Sequence, residues 1–535
     1  ISLDEMPSKL MFTPDDFTGA WTETVTLLPE LGGGKVDEGF NGIFSFTPDG
    51  QSVVGEHREL SGFWVAEAVW VTHSAGVART VAEWMIDGTP AVDVHEIDLY
   101  RFEDAALNDD FIVTTSSQQF VEVYDIIHPH DQRKAPRQVR TSPFYDRQSA
   151  LGAEFWEAAL WERPAWFEAN AGLLDALRAD GLVVPERDSW SARHWSPISV
   201  AEASWTRSNV ALYDMTPLTR YELSGPGALD LLQWLTTNNL AKSVGSVTYT
   251  LMLDENGGVR SDLTVARLAD DVFQIGANGP ADFDWISRRI ADGGYGDRVT
   301  LRDITGATCC LGLWGPLARD VVAPLTSADL SNDGLKYFRC LRTTIGTIPV
   351  TMMRVSYVGE LGWEIYTSAE YGRALWDLLM KSGEPQGIIA AGRIAFNSLR
   401  IEKGYRSAGT DMTTEHTPDA AGIGFAVRAT KPDDFIGKQA LTQREPCPKV
   451  LKTLRLDDPS AVVLGKEPVI IDGAVAGYVT SAGWSATVGT CLAYAWLPAG
   501  TDTGTAVTVR YLRTAYDATV VDDVVVDPSM SRIRK

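Results

Sequence analysis

Four groups of residues have types and spacings suited to chemistry. The first centres on Asp262, within SVTYTLMLDENGGVRSDLTVARL (246–268). Two alternating runs flank Asn256-Gly257-Gly258, a strong hairpin signal because both turn residues must tolerate positive φ. A two-residue loop at Asn256-Gly257 sets Leu251 opposite Asp262 and Tyr249 opposite Thr264; a loop at Gly257-Gly258 sets Leu253 opposite Asp262. In both registers Tyr249, Leu251 and Leu253 share a face with Asp262, while Val259, Ser261, Leu263 and Val265 face the other way. A carboxylate on an aromatic and apolar face is costly without a partner, and burial raises its pKa. Such a group can take or share a proton in a reaction. The competing explanation is an Asp paired with Arg260 or simply solvated. Lengthening the turn by one residue is expected to damage the chemistry of Asp262, and replacing Ser261 is expected to spare it.

The second group lies in VTMMRVSYVGELGWEIYT (350–367), a further hairpin. A loop centred on Glu360-Leu361 places Tyr357 opposite Glu364. An aromatic beside a carboxylate suits a flat, nitrogen-rich ring, which stacks on one and donates two adjacent N–H bonds to the other. The competing explanation is a core Tyr and an exposed Glu. The third group is a polar stripe, Arg393, Asn397 and Arg400, at i, i+4 and i+7 of a helix expected over 387–404 and ended by Gly404. In an acidic chain this stripe is either solvated, or meets internal acids or the tail of an anionic ligand. The fourth group is histidine. His73 opens an expected helix, and His128 and His130 have the i, i+2 spacing of a strand. With no further ligand set near them, metal binding is not expected.

The elements that must position these groups are bounded by composition. At 535 residues the chain exceeds a single core, and about three or four domains are expected. With 44% hydrophobic and 22% charged residues it is ordinary for a globular protein. No run approaches the roughly 18 apolar residues of a membrane span. A net charge of -24 argues against nucleic-acid partners but leaves room for a local basic patch that holds a small anion. Five cysteines without a CxxC fit neither a disulfide framework nor a zinc site, and the adjacent Cys309 and Cys310 are expected to be buried thiols in a cytoplasmic protein.

In chain order, residues 5–31 read as mostly helical, with Thr13 as N-cap. Strands are expected around Pro48-Asp49-Gly50, at 62–66 and through Val69–Val71. The last leads through a small-residue loop into a helix from Val77 to about Ile86, whose N-terminus is suited to an anion or a carbonyl oxygen. Residues 120–127 (FVEVYDII) carry mixed signals, and the aromatic density of 142–170 is expected to be interdomain packing. A linker over 171–194 precedes the regular region that holds both hairpins. After Glu445-Pro446, short strands at close spacing make a small all-β module.

Several of these stretches resemble known families. TPDG (47–50), GFWVA (62–66) and VWVTHSAGV (69–77) match in order the end of the FAD domain in D-amino-acid-oxidase-like flavoenzymes. By that resemblance Val69, Trp70, Val71 and Thr72 would face the isoalloxazine of FAD. The chain has no GxGxxG for the ADP half, so the rest of such a domain would come from a separate or cleaved piece, as a partner. Residues 142–170 resemble the central segment of the dimethylglycine and sarcosine dehydrogenase/oxidase family. ALYDMTPL, ELSGPGALDLLQWLTTNNL, YTLMLDENGGVRSDLTV, SYVGELGWEIYT, SLRIEKGYRSAGTDM and EPVIIDGAVAGYVTSAG resemble, in order, the aminomethyltransferase (T-protein) of the glycine cleavage system.

The resemblance implies an α+β multidomain fold. Its parts are the end of an FAD domain (1–92), a connecting domain (93–170), a tetrahydrofolate-binding domain (171–445) and a C-terminal β-barrel (446–535). It also implies site roles. Asp262 would activate the folate nitrogen that receives a one-carbon unit. Tyr249, Thr250 and Leu251 would line the folate groove. Tyr357 would contact the folate, Glu364 would anchor the pterin edge, and Arg400 would contact the folate or support the site. The implied reaction is flavin-dependent demethylation of dimethylglycine or sarcosine coupled to formation of 5,10-methylenetetrahydrofolate. The alternatives are a stand-alone folate-dependent transferase and a non-catalytic folate-binding protein.

Overall fold

The computed structural model describes residues 9–535. It is α+β and multidomain, as expected. Two antiparallel-rich sheets and a closed barrel carry the chain from about residue 211 onward. One sheet has five strands in the order Thr300–Asp303, Thr219–Ser224, Val272–Ala277, Val259–Ala269 and Val247–Leu253. The other runs Cys340–Ile345, Ile348–Met353, Gly362–Ser368, Thr308–Trp314, Ala211–Asp214 and Ile389–Ala390, with only the last pairing parallel. Six strands between Lys449 and Val521 close the barrel, so the short alternating strands leave no open edge.

The first sheet packs Leu223, Leu263, Val265, Phe273 and Ile275 beneath the helix Ala228–Leu235. The second buries Leu311, Leu313, Met352, Trp363 and Ile365 under Gly372–Gly383. Where the two sheets meet, Val247 N donates to Phe338 O (3.0 Å) and Cys340 N to Gly245 O (2.8 Å). Both hairpins are therefore held at one junction. Cys309 and Cys310 are buried in the strand Thr308–Trp314, and all five cysteines are free.

The first hairpin forms in the register that sets Leu251 opposite Asp262 and Tyr249 opposite Thr264. Its turn differs from a two-residue loop. Gly257 N donates to Asp254 O (3.1 Å) and Asp254 N to Gly258 O (3.0 Å), with Gly257 at φ +78°. This is a turn completed by a left-handed glycine. Leu253 then pairs with Val259 and Met252 with Ser261, so Arg260 is an extra, unpaired residue. The bulge moves Val259 off the face of Leu263 and Val265, into the cluster of Leu251 and Leu253. The simple alternation expected for Val259 fails for that reason. Gly258 is required by close approach, since a Cβ there would lie 1.8 Å from Thr414 O.

The second hairpin is looser than expected. Glu364 pairs with Met353 and Gly312, and Tyr357 lies outside the ladder in the segment between Met353 and Gly362. Trp314 explains this: its indole N–H donates to Val355 O (2.9 Å) and holds that segment away from the strands.

Elsewhere the differences are local. Residues 5–8 of the expected helix lie outside the described residues. The rest begins as a strand, Lys9–Met11, and turns helical only over Pro14–Leu27, because proline opens a helix at its first turn. The strand expected through Val69–Val71 does not form. Ala68 has φ +54° and breaks the extended run after Trp64–Glu67. The helix after it starts earlier than expected, at Ser74. Phe120–Glu122 belong to a helix, Asp109–Glu122, whose cap Asn108 accepts from Phe111 N at 2.9 Å. His128 and His130 are consequently not on a strand. The helix expected over 387–404 spans only Arg393–Glu402, since 389–390 join the sheet edge.

Candidate functional site

Asp262 sits half-buried on the strand Val259–Ala269 and receives two hydrogen bonds through its side chain. Tyr249 Oη donates to Oδ2 at 3.0 Å, and Asn278 Nδ2 donates to Oδ1 at 3.0 Å. Burial raises the carboxyl's pKa and Asp411 adds to the rise, while the bonds from Asn278 and Tyr249 work against it. Arg260 is not its partner, as its guanidinium stacks over Trp285 at 4.3 Å. Leu251 is fully buried directly across the ladder. Tyr249 stacks on Phe425 with centroids 5.9 Å apart. Thr250 is not part of this face. It pairs with Leu263, and its Oγ1 accepts from Asn238 N at 2.9 Å, as the two-residue period requires.

Tyr357 stacks between Phe396 (5.1 Å, 23°) and Tyr405 (5.6 Å, 29°), and its hydroxyl donates to Arg406 O. Although it does not face Glu364 across a ladder, it reaches the same site. The charge of Asp262 acts on both Tyr249 and Tyr357, and those of Asp411 and Arg400 also act on Tyr357, which places these groups in one neighbourhood. Glu364 accepts from Tyr366 Oη, and burial pushes its carboxyl pKa up. Tyr357 and Tyr366 pack on one cluster around Tyr213, Cys310, Trp314 and Phe396, which joins the two halves of the second hairpin to the site.

Arg400 is a strut. Its guanidinium donates to Asp411, to Tyr405 O (2.9 Å), to Ser481 Oγ (2.7 Å) and to Asn397 Oδ1 (2.9 Å), which leaves it little to offer a ligand. Asp411 is itself fully buried and accepts from Thr480 Oγ1 (2.7 Å) and Ser481 Oγ (2.6 Å) of the barrel. Arg400 thus ties the helix Arg393–Glu402 to the barrel beside Tyr357.

Val69–Thr72 stand apart. Trp70 packs on Phe44 and Phe46, while Val71 is 91% exposed at the start of a short 3-10 turn. Alone, these residues make an open wall and cannot enclose a tricyclic ring.

Three contributors escaped the sequence. Asn278 follows the strand Val272–Ala277 as part of Asn-Gly-Pro, which reads only as a turn. Strand order brings it to Asp262, and its amide also donates to Ser261 Oγ at 2.8 Å. Ser261 Oγ in turn donates to Asp282 Oδ2 at 2.7 Å. Ser261, although on the opposite face, therefore helps to hold the group that holds Asp262, and its replacement cannot be assumed harmless. Asp411 was in a loop with no periodic signal. Arg207 is the third. It is buried in the helix Ile198–Ser208, and donates to Glu402 (2.6 and 2.9 Å), Glu360 (3.0 Å) and Val358 O (2.6 Å). That clamps the segment carrying Tyr357 onto two helices.

Comparison with known proteins agrees with this architecture. Residues 144–431 match the GCVT N-terminal domain, 449–527 the glycine cleavage T-protein C-terminal barrel domain, and 87–142 the FAD dependent oxidoreductase central domain. Human mitochondrial dimethylglycine dehydrogenase is 31% identical over 95% of this chain, which spans 58% of that protein's length. The aminomethyltransferase of Saccharopolyspora erythraea is 31% identical over 71% of this chain and 96% of its own length. The crystal structure of the glycine cleavage system aminomethyltransferase T from Bartonella henselae superposes with a TM-score of 0.61 at 24% identity, covering 73% of this chain and 99% of its own, a likeness of fold.

Proposed function

This chain belongs to the glycine cleavage T-protein family, and from that premise we propose that it binds tetrahydrofolate beside Asp262 and loads it with a one-carbon unit from an N-methylated glycine. The observation that carries the reading is the Asp262 carboxyl, raised in pKa, held by Tyr249 and Asn278, and set beside the aromatic stack of Tyr357. Tetrahydrofolate, when bound, supplies the nitrogen that takes up the one-carbon unit. The residues present suit such a ligand. Tyr357 offers a ring edge between Phe396 and Tyr405, Glu364 a second carboxyl for an N–H edge, and Tyr249 a groove wall backed by the fully buried Leu251. Asp262 takes or shares the proton lost at the folate nitrogen, and the half-buried setting keeps that proton from bulk water.

The one-carbon unit, in this reading, comes from flavin-dependent demethylation of dimethylglycine or sarcosine, giving 5,10-methylenetetrahydrofolate. Val69–Thr72 would supply one edge of the flavin site, and a further flavin-bearing piece the rest. The segment around them supports a partner. Met11, Val71, Tyr124 and Ile126 are each at least 87% exposed, large side chains that a folded neighbour would cover. A stand-alone folate-dependent transferase is the second reading, favoured by the openness of that wall.

Titration of the chain with tetrahydrofolate, followed by intrinsic fluorescence, should show saturable quenching. Product assays with dimethylglycine should give methylenetetrahydrofolate only when a flavin-bearing partner is added. Absence of folate binding would overturn the proposal, and transfer without any flavin would favour the second reading. Asn278→Ala should move the acidic limb of the pH–rate profile upward, because it removes a hydrogen bond that favours the charged Asp262, and should cost about tenfold in capture at fixed pH. An unmoved limb would show that Asn278 does not act through Asp262.

A further inference from the structure

A cavity of about 380 Å³ lies between the strand Trp161–Phe167, the helix Arg393–Glu402 and the barrel strand Ala474–Ser485. Its chemistry is one-sided. Arg163, Arg187, Arg393 and Arg400 line it, and Glu157 is its one carboxylate among the described residues. Glu157 is already engaged, accepting from Leu160 N (2.6 Å) and lying 3.5 Å from Arg133. Arg400 is held by Asp411. Arg393 lies over Phe396 at 4.8 Å with no acidic group acting on it, and Arg187 lies over Trp195 at 3.9 Å.

Four buried donors on this lining have no acceptor: Arg163 Nε, Arg187 Nε, Trp156 Nε1 and Trp484 Nε1. An unmatched buried donor is costly unless a ligand accepts from it. Burial and the neighbouring Arg393 push the Arg163 guanidinium down to about 9, with Glu157 and Asp214 acting the other way. Guanidinium groups outnumber the one carboxylate on this lining, and its unmatched donors suit an anionic ligand even in a chain of net charge -24. The cations are spread along the cavity instead of converging on one point. Arg393 is near enough to act on Arg163, while Arg187 stands over Trp195 and donates to Ser191 O at 3.1 Å.

We propose that this cavity binds an extended polycarboxylate, with Arg163 and Arg393 taking one carboxylate and Arg187 another. Planar guanidinium forks match carboxylates in two-point geometry, and the tryptophan N–H groups supply further donors. Two sources share this chemistry: a free di- or tricarboxylate, and the carboxylate tail of a pterin bound at the neighbouring site. The cavity reaches that site through Arg393, whose ring partner Phe396 stacks on Tyr357.

Calorimetric titration of the full chain tests this with citrate, a γ-linked triglutamate peptide, inorganic phosphate, and tetrahydropteroyl mono- and triglutamate. Citrate or the free peptide should bind, and Arg163→Gln or Arg393→Gln should each weaken binding about tenfold or more. Arg393→Lys, which keeps the charge, should retain part of the affinity and serves as the folding control. Tighter binding of the triglutamate pterin than the monoglutamate assigns the tail as the source. Equal binding of the two pterins, with citrate still bound, assigns a free polycarboxylate. Both results support the site, and the second stands even if no pterin binds. Phosphate binding as tightly as the polycarboxylates overturns the proposal, as does affinity for every probe that is indifferent to Arg163 and Arg393.

Discussion

Asp262→Asn should lower folate-dependent one-carbon capture by about 10²–10⁴-fold while leaving tetrahydrofolate binding within a fewfold of the parent, the range expected when a positioned acid–base group is lost. Asparagine keeps the shape and an oxygen that can accept from Tyr249 or Asn278, so the hairpin has no reason to refold. It cannot take a proton. The pH dependence of capture in the parent follows from the same group. Burial raises the carboxyl's pKa, so the charged, proton-accepting form is lost on acidification at a higher pH than for an ordinary aspartate, near 3.9. Capture should therefore rise with pH through that raised pKa, and the acidic limb should vanish in Asp262→Asn. A variant that binds folate normally and forms product at the parent rate would remove Asp262 from the chemistry.

The second large effect is on stability. Arg207→Met should destabilise the unit that carries Tyr357 by about 3–5 kcal/mol, the usual consequence of leaving a buried carboxylate without its cation. Glu402 is fully buried and would keep only Ser485 Oγ (2.6 Å) and Thr487 Oγ1 (3.1 Å) as side-chain donors, while Glu360 would keep Arg532 (2.9 Å). Because Arg207 also holds Val358 O, the loss should appear first as freer exchange of the backbone amides around 355–361, and then as a lower urea midpoint. The matched double variant Arg207→Met with Glu402→Gln should recover part of the loss. A double variant no more stable than the single one would show that the charge pairing is not the cause.

The hairpins show how far the sequence reached. Alternation and turn chemistry placed Tyr249 and Leu251 across from Asp262, because one buried face fixes register to within one residue. They did not foresee the extra Arg260, since a bulge has no signature in a run that still alternates on either side. Tyr357 does not sit opposite Glu364 as the spacing suggests. Its position is set by the Trp314 indole and by stacking on Phe396, contacts between residues distant in sequence that periodicity cannot show. The stripe of Arg393, Asn397 and Arg400 was legible as one face of a helix. Which of its two possible neighbours it met was not, and the structure divides the answer: Arg400 faces an internal acid and Arg393 faces an empty-handed cavity wall. Asn278 and Asp411 lay in irregular segments, where side chains are positioned only by tertiary structure.

Arg260 has one more consequence. Between Leu251 and Asp262 the chain spends an odd residue that pairs with nothing, and that oddness decides which side of the sheet the carboxylate occupies. What this stretch must conserve is its length: Glu255 and Asn256 are exposed and chemically replaceable, but the number of residues between the two strands is not. Substitution there is tolerated spelling, whereas a single insertion or deletion is a frameshift in space, exchanging Asp262 for its neighbours at the site without altering any other letter.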